Sequence, residues 1–224
     1  MSLHTLLLTA IVSTAVAGEI PLSVSDIVTG TPGHVRLTNT SRQPVTAWSL
    51  ATSASSNGRT HREIHTTDGY LSEATHGLPG AAERLERLMP GESRQVPLDP
   101  LPPGATVEVI AAVLDDGTAV GDEEALSAIF AHRVKERDAL AAVVAAFKDI
   151  LPARHGAAAL AALRERFAAL VQRDDAMPCR AALEAVQTYQ QKTNGDEIDR
   201  SLQTYAAFVT REYDLAARHS QRRP

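Results

Sequence analysis

The sequence predicts an α+β protein: an antiparallel β-sandwich followed by an α-helical region. Three observations carry this. From Pro21 to Val120, several short apolar runs are separated by turn signals, the pattern of a small β-sandwich. From Asp122 onward the apolar period changes from two to about 3.6, the helical value. Between them Val107–Leu114, the most apolar strand, ends at Asp115-Asp116-Gly117, and Gly121-Asp122 opens a long helix. The expected division is 1–17, 18–121 for the β-sandwich and 122–224 for the helical region.

Residues 1–17 read as a signal peptide. Leu6 to Val12 is an apolar run too short to span a bilayer, and Ala15-Val16-Ala17 gives a small-residue cleavage pattern before Gly18. The expectation is an exported protein, periplasmic or extracellular, with no transmembrane segment in the mature chain. Arg greatly outnumbers Lys, which stands only at 135, 148 and 192, and Ala is abundant. That usage suggests a GC-rich bacterial genome.

In the β-half, Pro21–Thr29, His34–Asn39, Val45–Ala51 and Thr60–Thr66 are expected strands, separated by Thr31-Pro32-Gly33, a polar turn over Asn39–Pro44, and a small-residue loop over Thr52–Gly58. Trp48, the only tryptophan, is the expected core anchor. The excursion from Thr52 to Met89 is long and non-repetitive, with a short helix expected at Ala81–Leu88 and a turn at Pro90-Gly91. Arg94–Leu98 is a further strand. Asp99–Gly104 is a proline-rich connection that a central strand does not tolerate. Val107–Leu114 belongs at a sheet centre, and Thr118–Val120 is a short last strand.

In the helical half, Asp122 is a natural N-cap, with Glu123 and Glu124 in the first turn where the helix dipole favours acids. Leu126, Ile129, Phe130, Val134, Leu140, Val143, Val144, Phe147 and Leu151 trace one long stripe that Pro152 ends. Further helices are expected over Ala157–Arg173, Arg180–Lys192 and Asp196–Arg218, with Met177-Pro178 as a break and Asn194-Gly195 as a left-handed C-cap. Their short connections favour antiparallel packing as a helical bundle. Whether the helices pack on the sandwich or stand apart is open at this level.

Charge and cysteine content narrow the function. The 224 residues carry a formal charge of −5, and the only basic cluster is the tail Arg218–Arg223, so nucleic acid is not an expected partner. Cys179 is the only cysteine and is expected to be buried in a helix, so no internal disulfide supports this exported chain.

His61-x-Glu63-x-His65 is the one pattern resembling metal ligands, because alternate strand residues project to one side. Adjacent alternate positions lie ~6.6 Å apart and the outer pair ~13 Å, from a rise of ~3.3 Å per residue. One zinc ion reaches two of these easily; His76 is the candidate further ligand. The competing reading is the solvated face of an edge strand. Asp115, Asp116, Asp122, Glu123 and Glu124 gather oxygen ligands suited to calcium, yet they also serve as turn and cap residues. Glu63, Asp68 and Glu73 are acids available for a carboxylate pair. The sequence carries no nucleophile elbow, P-loop or dinucleotide-binding fingerprint.

The stretch Val35–Ser41, then Pro44-Val45-Thr46-Ala47-Trp48, Pro90-Gly91-Glu92-Ser93 and Val107–Gly117 resembles bacterial exported immunoglobulin-like or fibronectin-like modules. There, a strand ending in Asn-x-Ser precedes a Pro-Val strand and a Pro-Gly turn precedes a later one. The likeness covers about residues 21–120. It lacks the cysteine pair of antibody domains and implies only the sandwich architecture, with a binding or spacing role and no catalytic residues. The expectation is therefore a non-catalytic binding or scaffolding protein that contacts another envelope protein. The alternative is a metal-binding protein or metal-dependent hydrolase using His61, Glu63 and His65.

Overall fold

The computed structural model describes residues 18–30, 32–56, 59–75, 85–102 and 104–223, so the expected signal peptide lies outside the described residues. Apolar residues alternating with polar ones build two antiparallel sheets. β1 (Leu22–Val28), β2 (Gly33–Asn39) and β5 (Ser93–Leu98) form the first, in the order β1-β2-β5. β3 (Val45–Ser56), β4 (Arg59–Asp68), β6 (Thr106–Leu114) and β7 (Ala119–Gly121) form the second, in the order β4-β3-β6-β7. Val35 and Leu37 of the first sheet share one core with Trp48, Leu50 and Val107 of the second, so the tryptophan is the anchor expected of it. β6 is flanked on both sides, as its apolar run requires.

The helical half begins where Asp122 caps α2 (Glu123–Ile150), its Oδ1 accepting from the Ala125 N–H at 2.9 Å. α2 serves two cores. Its first turns put Leu126 and Ile129 on Ala47, Ala51 and Ala111 of the second sheet, small side chains that let the helix approach closely. From Ala139 onward the same stripe faces α3 (Gly156–Arg173), α4 (Met177–Tyr189) and α5 (Gly195–His219), which close over Phe147, Leu163, Phe167 and Leu202. Each fully buried leucine stabilises this arrangement by ~1.5–3 kcal/mol. α5 then returns the chain to the β-half: the Arg223 N–H donates to the Gly117 carbonyl at 3.0 Å.

Four local expectations are corrected. The loop expected from Thr52 does not open there. β3 continues to Ser56, because its small residues pair with β4 on one side and, as far as Ser53, with β6 on the other. The helix expected over Ala81–Leu88 is not seen at Leu85–Leu88, where Leu88 instead exchanges two backbone hydrogen bonds of 2.9 Å with Val45; residues 81–84 lie outside the described residues. α4 starts at Met177 rather than Arg180, since Pro178 sits in the first turn, where its missing N–H costs nothing. Asn194 does not end a helix. It caps the start of α5 by accepting from the Asp196 N–H, and Gly195 is not left-handed.

Candidate functional site

The expected metal-ligand row lies on β4, at the edge of the second sheet. Its residues share one face as the period of two demands. His61 Nε2 is 2.9 Å from Glu63 Oε1, and His65 Nε2 is 3.7 Å from Glu63 Oε2. The structure therefore brings each histidine to the glutamate rather than all three around one point. His61 is the most open, its side chain 78% exposed, whereas His65 Nε2 is enclosed without a hydrogen bond. His76 lies outside the described residues. Four of the five acids in the Asp115–Glu124 turn have other partners. Asp116 takes the Thr118 N–H, Asp122 caps α2, Asp115 faces Arg87, and Glu123 accepts from Arg222 at 2.6 Å. Among the described residues no three His, Cys, Asp or Glu side chains are grouped to hold a metal ion. Nor do Glu63, Asp68 and Glu73 form a pair: Asp68 binds Arg133 and Glu73 binds Arg87.

The most organised polar constellation sits where α2 crosses from sheet to helices. Arg133 is fully buried. Its guanidinium makes two 2.7 Å bonds to Asp68, at the end of β4, and donates to the His219 carbonyl and Thr46 Oγ1 at 3.1 Å each. Its Cζ lies 4.8 Å from the centre of the Tyr70 ring, a cation–π distance. Tyr70 in turn donates to Glu136 Oε2 at 2.6 Å and lies 5.5 Å from the His219 ring. Four segments meet here: the start of β3, β4 with its following turn, α2, and the end of α5.

Burial dominates the electrostatics. It pushes the Tyr70 hydroxyl well above the ordinary tyrosine range, and the hydrogen bond to Glu136 adds to this. It holds His219 below the ordinary histidine value, with Arg133 reinforcing the effect. On α5, burial and then the charge of Glu136 raise Glu212 to about 7. Cys179 is buried, as expected, and its thiol is raised chiefly by desolvation.

The expected helix stripe omitted Arg133 and Glu136. The signal was present: between Phe130 and Leu140 the inward positions fall at 133 and 136, and both carry charge. A charged pair inside an apolar stripe marks a buried network, because such groups stay buried only with partners.

No described helix is long and apolar enough to cross a membrane. Comparison with protein-family models, curated proteins and solved structures finds no match for this chain.

Proposed function

We propose that this chain is a non-catalytic binding or scaffolding protein of the bacterial cell envelope, exported through its N-terminal segment, that meets a partner protein along the outer edge of β4. The observation that carries this reading is the edge itself. β4 runs for ten residues, and among the described residues it pairs only with β3. Such an edge presents a row of backbone donors and acceptors that an extended segment of another protein can pair with. Ile64, on this strand, is among the few large apolar side chains left exposed. The β-half is read as an immunoglobulin-like or fibronectin-like sandwich. In support, seven strands fall into two antiparallel sheets, and the connections β2–β3, β4–β5 and β5–β6 pass between them, the Greek-key habit of that architecture. The buried contacts of α2 and Arg133 fix the helices to this β-half, which suits a spacer.

The test is expression of the full-length chain, tagged at its C-terminus, in its native host. Fractionation should place it in the envelope with Gly18 as its first residue, and affinity capture should return one stoichiometric protein. Substitution Ile64→Lys, which places a charge on the open strand, should abolish that capture while leaving the circular dichroism unchanged. Capture unaffected by Ile64→Lys, or a chain retained in the cytoplasm, would sink the reading.

A second reading, a metal-binding protein or metal-dependent hydrolase, has one observation in its favour: both oxygens of Glu63 face histidine nitrogens, at 2.9 and 3.7 Å. Metal analysis of the same eluate decides it. Stoichiometric zinc lost on His61→Ala/His65→Ala substitution would replace the first reading.

A further inference from the structure

Between α2, α4 and α5 the helical half encloses a cavity of about 90 Å³. Its walls are mostly apolar and include Leu140, Tyr205, Phe208 and Val209. Met177, 60% exposed, stands at its rim. Two carboxyl groups also line it, Glu136 from α2 and Glu212 from α5.

Among the described residues neither carboxyl has an ion-pair partner. Glu136 is only 7% exposed, and among the described residues its one hydrogen-bond partner is the Tyr70 hydroxyl. Glu212 has no hydrogen bond and no ion pair among the described residues. The arginines and lysine flanking Glu136 on α2 have other carboxylates: Arg133 has Asp68, Lys135 has Asp174 at 3.5 Å, and Arg137 has Asp138. Two carboxyls against apolar walls without a counter-charge are costly, and buried charges are ordinarily paired. Burial against these walls, and then the charge of Glu136, raise Glu212 to about 7. The cavity thus combines a preformed apolar space with an unmet demand for positive charge.

The shape and donor count select the cation. Calcium takes six to eight oxygen ligands and magnesium keeps several of its waters, and a mostly apolar space of about 90 Å³ supplies neither the ligands nor room for that hydration shell. A guanidinium is wider and planar, and its five donors spread around that plane, so in a space this small with mostly apolar walls some of them would meet no acceptor. An ammonium is compact, has three donors and rides on methylenes that apolar walls accept. The rings of Tyr205 and Phe208 add faces that favour a cation. We propose that this cavity binds a primary alkyl ammonium group, its charge held between Glu136 and Glu212 and its methylene stem against Leu140, Tyr205, Phe208 and Val209. The group is supplied by a free alkylamine or by a lysine side chain of another protein. This site is separate from the β4 edge, and its test does not depend on that reading.

The test is titration of the full chain with n-butylammonium chloride at pH 7.5, followed by methyl NMR of Met177, Leu140 and Val209. Nα-acetyl-lysine methylamide forms a second arm and n-butanol the neutral control. Saturable shifts at these methyls are expected for the amines, at millimolar concentrations, with n-butanol at least tenfold weaker. Glu212→Gln, which leaves the deeper Glu136 in place, should weaken the amines at least tenfold; Glu136→Gln should do the same if it folds. Tighter binding of n-butylammonium assigns a free amine, and tighter binding of the lysine derivative assigns a protein side chain. Equal shifts from n-butanol, or amine binding unchanged in Glu212→Gln, would overturn the proposal.

Discussion

Arg133 and Asp68 meet through two parallel hydrogen bonds, Nε to Oδ2 and Nη2 to Oδ1, each 2.7 Å long. The arginine is fully enclosed, and the aspartate side chain is 11% exposed. They lie 65 residues apart in sequence and join the last residue of β4 to the middle of α2. Removing one partner leaves the other charged and buried, which costs more than the pair contributes. Arg133→Leu and Asp68→Leu are each expected to lower stability by ~3–5 kcal/mol in urea denaturation at pH 7. The double variant should recover most of that loss. Single variants costing under ~1 kcal/mol would show that this pair does not join the two halves.

Tyr70 has the same relation to Glu136 on a smaller scale. Tyr70→Phe keeps the ring against Arg133 and His219 and removes only the hydroxyl, the sole hydrogen-bond donor to Glu136 among the described residues. A buried acceptor left without its donor costs ~1–3 kcal/mol. That loss should appear as a lower urea midpoint with an unchanged slope. Adding Glu136→Leu should restore much of it, because the stranded carboxylate is then gone.

The sheet strands and the long helices were legible in the sequence because their apolar periods of two and 3.6 are local properties. What was not legible was long-range. Small residues at Ser53–Ser56 look like a loop until β4 and β6 are placed beside them. Leu88 looks helical until Val45 takes both of its backbone groups. The row His61, Glu63, His65 was placed correctly on one strand face, since the pleat alone dictates it. The Arg133 network was missed because its partners come from β3, β4 and α5, and no single window of sequence contains them.

Two groups shifted by burial, Glu212 in part and His219 more fully enclosed, give stability opposite pH trends. Glu212 is raised from 4.5 to about 7, so between those values the folded chain binds more protons than the unfolded one. Its contribution is fully present below about 4.5 and is lost as pH rises through about 7. His219 is held below 6.5, so the unfolded chain takes up its proton first, and stability is lost as pH falls below 6.5. Glu212→Gln should therefore raise stability at pH 8 by ~1–2 kcal/mol, discounted for the partial exposure of this carboxyl, with little change at pH 4.5. His219→Phe retains an aromatic ring beside Tyr70 and leaves the backbone carbonyl that Arg133 uses, so it should flatten the acid limb alone. Chemical denaturation at half-unit pH steps separates the two. A Glu212→Gln profile parallel to that of the parent would contradict this assignment.

Gly121 is where the β-half hands the chain to α2, and its geometry admits no side chain. Its φ is +123°, a value L-residues rarely take. A Cβ there would stand 2.1 Å from the Ile110 carbonyl oxygen and 2.7 Å from the Ala111 Cα, both backbone atoms that a side-chain rotation cannot move. That close approach lets the next N–H, of Asp122, donate to the same Ile110 oxygen at 2.7 Å while the Asp122 side chain caps α2. Gly121→Ala must therefore either distort β6, which sits inside the second sheet, or lift the start of α2 away from Ala47 and Ala111. The positive φ alone costs ~1–3 kcal/mol, and the clash adds to it, so a loss of at least ~3 kcal/mol is expected. Hydrogen exchange should place the damage at β6, β7 and the first turns of α2, while α3 and α4, which pack on the far half of α2, keep their protection. Uniform loss of protection across all helices would mean instead that the two cores unfold as one unit.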